Sequence, residues 1–85
     1  MSLNSKNQEE VISILKKRHL LYADISEEKA QKDPYWFYES PLSRRDYEEW
    51  VEFGVNSIMS IGKIDRRKAE IEMTWIETKY RVKVI

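Results

Sequence analysis

Two arginine pairs carry the most chemistry in this chain. Arg44-Arg45 follows Ser43, and Arg66-Arg67 follows Asp65, with Lys63 just before and Lys68 just after. Ser and Asp start helices because their side-chain oxygens accept from the free amides of the first turn. Cations in that turn oppose the helix dipole by about 0.3–1 kcal/mol each. Free amides and arginines together suit a phosphate or a carboxylate. Arg44, Arg45, Lys63, Arg66, Arg67 and Lys68 are therefore the candidate contacts to an anion or a nucleic acid. The plainer account is solvated arginines paired along their own helices, Arg45 with Glu49 and Arg66 with Glu70. If the two helices form an antiparallel hairpin, their starts lie roughly 25 Å apart. They then touch two points of an extended partner and cannot clamp one phosphate.

Other reactive constellations are incomplete. The one histidine, His19, falls on an apolar helix face and reads as a core-edge residue. There is no cysteine nucleophile, and two glycines do not make a phosphate-cradling loop. Glu49 and Glu52, spaced i, i+3, can face one cation. This half-site resembles the first half of the helical metal site in all-α nucleotide pyrophosphohydrolases. The second half is missing, since Met73 follows Glu70 by three residues and Trp75 follows Glu72 by three. A metal-dependent nucleotide hydrolase-like helical protein is thus a distant third reading, and no catalytic, cofactor or metal residue is expected. A DNA-binding helix-turn-helix is also disfavoured. The first hairpin helix is too long for it, and Glu70, Glu72 and Glu77 are expected on the outer face of the second.

The elements that position these residues follow from periodicity. From Ser43, apolar residues recur as Tyr47, Trp50, Val51, Gly54, Val55, Ile58 and Ile61, a stripe roughly 140° wide. Gly62 is expected to end this helix in the left-handed conformation. Asp65 opens a second helix with a narrow stripe of Ala69, Met73, Ile76 and Tyr80. The short connection makes the two antiparallel neighbours, about 43–61 and 65–80. An earlier helix over 5–22, capped by Ser5 or Asn4, places Val11, Ile12, Leu15, His19 and Tyr22 on one face. Residues 24–32 form a connector or a short helix started by Asp24 or Ser26, and Pro34 ends it. Met1 to Asn4 read as an unstructured lead-in or an expression remnant. The expectation is a small all-α, single-domain protein of three to four helices built on the hairpin.

Two surfaces are left over. The second hairpin helix carries another apolar line, Ile71, Trp75 and Val82, ~200° or more around from the first. Phe53 lies among polar residues on the preceding helix. Opposed lines imply a helix covered on both sides, either by the first helix or by another chain. The other leftover is Pro34 to Pro41, which holds Tyr35, Trp36, Phe37 and Tyr38 in succession. Four successive rings cannot share one face, so at least one is exposed or packs over the bundle end. Such rings are favoured interface anchors. Phe53, Ile71, Trp75, Val82, Trp36 and Phe37 are the candidate interface residues. The tail, Arg81 to Ile85, alternates as a short strand does but has no clear strand to pair with, so a frayed end or a continued helix is the favoured account.

Composition bounds the rest. Eighty-five residues bury a modest core, and ten aromatics strengthen it. Net charge is zero over the chain but uneven: +2 over 1–22, −3 over 23–42, −2 over 43–62 and +3 over 63–85. Basic ends packing on an acidic middle explain this without a nucleic acid. The lack of cysteine, of a signal-like start and of any long apolar run points to a cytoplasmic protein. The expected function is a non-enzymatic protein–protein interaction or accessory module, a homodimer or subunit that self-associates through helix 65–80. The alternative is a nucleic-acid-associated regulatory accessory protein that uses the basic helix starts.

Overall fold

Each helix begins at a side chain that accepts from a free amide of its first turn. Asn4 accepts from the Asn7 amide at 2.8 Å and opens α1, Ser5–Ala23. Ser26 accepts from Lys29 at 3.2 Å and opens α2, Glu27–Lys32. Ser43 accepts from Asp46 at 3.2 Å and opens α3, Arg44–Gly62. Asp65 accepts from Lys68 at 2.9 Å and opens α4, Arg66–Tyr80. A 3-10 turn, Trp36–Tyr38, lies in the loop between α2 and α3. This computed structural model describes residues 3–85, and among them the fold is all-α, as the caps and periodicities imply.

The middle of the bundle is α3. It packs extensively on both α1 and α4, and α1 meets α4 only lightly. Gly54 makes the close approach possible. A Cβ placed there would lie 2.5 Å from Met73 Sδ and 3.1 Å from Leu15 Cδ2, touching α4 and α1 together. Trp50, which has no exposed surface, donates its indole N–H to the Leu15 carbonyl at 3.0 Å and fixes α1 against α3. The Tyr47 hydroxyl donates to Glu77, joining the start of α3 to the last turns of α4. Burial, reinforced by Glu77, pushes the Tyr47 phenol up to about 12.

The bundle end is closed by His19, which is fully buried. Its Nε2 lies 2.6 Å from the Ser40 carbonyl, which can only accept, so Nε2 carries the proton. Nδ1 is then the acceptor for the Tyr80 hydroxyl at 2.8 Å. Trp36 packs edge-on against the imidazole, with centroids 4.8 Å apart. Burial lowers the His19 pKa and the Ser40 bond offsets part of that, while burial raises that of Tyr80. Both groups are neutral at pH 7. The sequence placed His19 at a core edge, and it sits inside the core because the aromatic loop folds over it.

Three details differ from the sequence reading. Gly62 is the last residue of α3 and has no positive φ; the left-handed residue is Lys63, φ 52°. Gly62 leaves room for Leu3 instead, because a Cβ there would meet Leu3 Cδ2 and push that side chain aside. Leu3 is 7% exposed and Asn4 caps α1, so both belong to the fold; the rest of the expected lead-in lies outside the described residues. The tail is neither frayed nor helical. Val84 forms an isolated parallel bridge with Leu42, through Leu42 N–H to Lys83 O and Ile85 N–H to Leu42 O, each 2.9 Å.

Two outcomes follow. Gly54→Val forces Met73 and Leu15 apart and should lower the unfolding free energy by about 1–3 kcal/mol in urea titrations. His19 has a folded pKa below its unfolded value of 6.5, so the unfolded chain binds the proton first as pH falls. Its contribution is whole above pH 6.5 and declines as pH drops from there towards the folded pKa. The melting temperature should therefore fall from pH 7 to pH 5, and less steeply in His19→Gln.

Candidate interaction surface

On α4 the narrow stripe faces inward: Ala69, Met73, Ile76 and Tyr80 are all buried. The residues between them face out. Ile71 is 55% exposed and Trp75 68%, one helical turn apart on the same side. The first helix leaves them exposed, because α1 lies mainly against α3 and meets α4 only lightly. The sequence allowed α4 to be covered on both sides within the chain. In the structure α3 has that place and α4 is an outer helix.

The other expected interface residues are largely spent inside the fold. Trp36 is 6% exposed against His19 and is not a surface anchor. Phe37 is half-buried, 4.8 Å from the Tyr80 ring and beneath the Lys16 ammonium. Both are drawn in because the loop must cap the apolar end of the bundle. Among the four successive rings Tyr35 is the exposed one. Phe53 is half-buried under the Arg18 guanidinium, 4.0 Å from its centroid, which explains an aromatic residue among polar ones. Val82 is half-buried against the core because the bridge to Leu42 pulls the tail inward. Ile71 and Trp75 thus remain the exposed members of the set.

The basic starts are separated as the hairpin requires. Arg44 and Arg45 lie at one end of α3, and Lys63, Arg66, Arg67 and Lys68 lie at the other, all exposed. Arg66 is committed: it forms a two-pronged pair with Glu52 at 2.8 and 2.6 Å and reaches Glu70 at 3.6 Å. The Arg66 hydrogen bond holds the Glu52 carboxyl below its usual value. Glu52 is therefore engaged by an arginine rather than presented with Glu49 to a metal. The Arg45–Glu49 pair expected from spacing does not form among the described residues, where Tyr22 donates to Glu49 at 3.4 Å instead. No group of three or more potential ligands is placed to hold a metal among the described residues.

Two clefts escaped the sequence reading. One, of about 500 Å³, lies between α1 and α2 over an apolar floor that includes Ile12, Leu20 and Trp36. The other, of about 440 Å³, lies beside the exposed face of α4 and is lined by Gln8, Glu72, Trp75, Ile76, Thr78 and Lys79. Glu72 was expected on the outer face with Glu70 and Glu77. It is 6% exposed, with Gln8 from the start of α1 beside it in the cleft, and Glu77 is half-buried beneath Tyr47. Nothing in the spacing of α4 alone could reveal that neighbour, since it depends on where α1 docks. Among the described residues no helix is long and apolar enough to cross a membrane.

Trp36 and Trp75 should respond differently to truncation. Trp36→Ala leaves a cavity over His19 and should cost about 3–5 kcal/mol. Trp75→Ala removes a side chain held mostly in water and should stay within about 0.5 kcal/mol of the parent in chemical denaturation. No protein-family model, curated protein or solved structure matches this chain.

Proposed function

We propose that this chain is a non-enzymatic protein-interaction module that self-associates through the outer face of α4. The observation that carries this reading is the pair of large apolar side chains, Ile71 and Trp75, left exposed on consecutive turns of one helix. Single exposed apolar residues are ordinary on monomers. Two on one ridge, one of them Trp, form the kind of anchor that dominates interface energies. A second copy related by a two-fold axis would set this ridge against itself, which is the simplest closed arrangement. Arg67, Lys68, Glu70, Thr74 and Lys79 surround the ridge and supply a polar rim.

The nucleic-acid reading has less support. One of its six cations, Arg66, is engaged by Glu52 and Glu70, and the rest divide between the two ends of α3. Catalysis has less still, because the one histidine is sealed in the core as a neutral hydrogen-bonding group.

Sedimentation equilibrium tests the proposal. The parent chain should form dimers at tens of micromolar, and Trp75→Glu should be monomeric with the melting temperature of the dilute, monomeric parent. A parent chain that stays monomeric at these concentrations overturns the reading.

A further inference from the structure

We infer that the cleft beside Trp75 is a binding site for a guanidinium group carried on an alkyl chain. The inference does not rest on self-association, since every residue lining the cleft comes from one copy. Its centre is Glu72. This residue is 6% exposed, yet among the described residues no hydrogen bond or ion pair holds its carboxylate. Neither oxygen is sealed from solvent, and the cleft is the opening that Glu72 lines. A carboxylate on a buried stem, with its oxygens still open to solvent, is presented to whatever enters the cleft. A partner that enters from outside pairs with this one.

The rest of the lining specifies the partner. Trp75 forms a wall, and an indole face attracts a cation lying over it. Ile76 supplies an apolar contact for a methylene stem, and Gln8 and Thr78 add an amide and a hydroxyl that can accept N–H donors. A planar guanidinium can stack on an indole and bond both oxygens of a carboxylate at once, whereas an ammonium offers only a point charge. A volume of about 440 Å³ falls within the range of small-ligand pockets. Lys79, also in the lining, is the one unfavourable charge. It is exposed and makes no ion pair with Glu72, so its flexible stem is free to swing away. The larger groove between α1 and α2 does not present a comparable group: its charged lining residues, Glu9, Lys16, Lys17 and Glu27, are all exposed.

The test is titration of the full chain with N-acetyl-arginine amide, followed by tryptophan fluorescence in the dilute, monomeric parent and by amide chemical shifts in Ile71→Glu, which carries its charge on the ridge outside the cleft and is monomeric at the higher concentration. Saturable shifts are expected at Gln8, Glu72, Trp75 and Ile76. The neutral isostere N-acetyl-citrulline amide should bind at least tenfold more weakly. Glu72→Gln should weaken arginine binding at least tenfold, and Lys79→Met should tighten it. Trp75→Leu, at an exposed position, gives a second loss-of-binding variant should Glu72→Gln unfold. Methylguanidinium and a capped Gly-Arg-Gly peptide separate the sources: equal binding assigns a small guanidino compound, and stronger peptide binding assigns an arginine of a protein partner. No saturable shift at millimolar probe, equal binding of the citrulline compound, or binding unaltered by Glu72→Gln overturns the inference.

Discussion

One buried imidazole holds the two halves of this fold together. His19 bonds at one nitrogen to the Ser40 carbonyl and at the other to the Tyr80 hydroxyl, so α1, the aromatic loop and the end of α4 meet at a single ring. The chemistry of a neutral imidazole makes this work, since it is donor and acceptor at once. Trp36 then lies against the ring, Phe37 against Tyr80, and Tyr80 against Trp50, so an aromatic cluster grows outward from the hydrogen bonds. The loop reaches Leu42, which receives the tail through its bridge to Val84. A chain of 85 residues has little core to spare, and this arrangement spends two of its four successive rings, Trp36 and Phe37, on covering it.

That expenditure decides what is left for function. The rings of Trp36 and Phe37 are turned inward, Phe53 is shielded by Arg18, and Val82 is drawn in by the tail. Arg66 is balanced by two glutamates. What remains unshielded on α4 is a ridge of Ile71 and Trp75, with a cleft beside it lined by Glu72, whose carboxylate has no partner among the described residues. The central role of α3 explains the ridge. With α1 and α4 both packed on α3, no described element packs extensively on the far side of α4.

The sequence made the helices legible because local chemistry sets their ends. Ser43 and Asp65 accept the first-turn bonds expected of them, Asn4 and Ser26 take the role from the pairs Ser5 or Asn4 and Asp24 or Ser26, and the stripes of α3 and α4 face inward as their periods imply. What was not legible depended on residues distant in the chain. Gly62 has the residue type of a left-handed terminator, but Leu3 packs where its Cβ would lie, and the conformation passes to Lys63. Alternation in the tail hinted at a strand, yet its partner, Leu42, belongs to a segment without strand periodicity. His19 looked peripheral because its ligating groups lie 21 and 61 residues away. Glu72 looked solvated because its own helix says nothing of what packs beside it. Of the candidate site, the exposed pair Ile71 and Trp75 was legible from the second apolar line, while the cleft beside it was not.

Trp75 itself offers the most direct test, since Trp36 and Trp50 are buried and insensitive to a polar quencher. Acrylamide quenching of tryptophan emission should be followed across protein concentration. If the ridge is a self-interface, one tryptophan is quenched readily at nanomolar concentration and becomes protected at tens of micromolar. Quenching of that tryptophan that stays the same over the whole range would contradict the account.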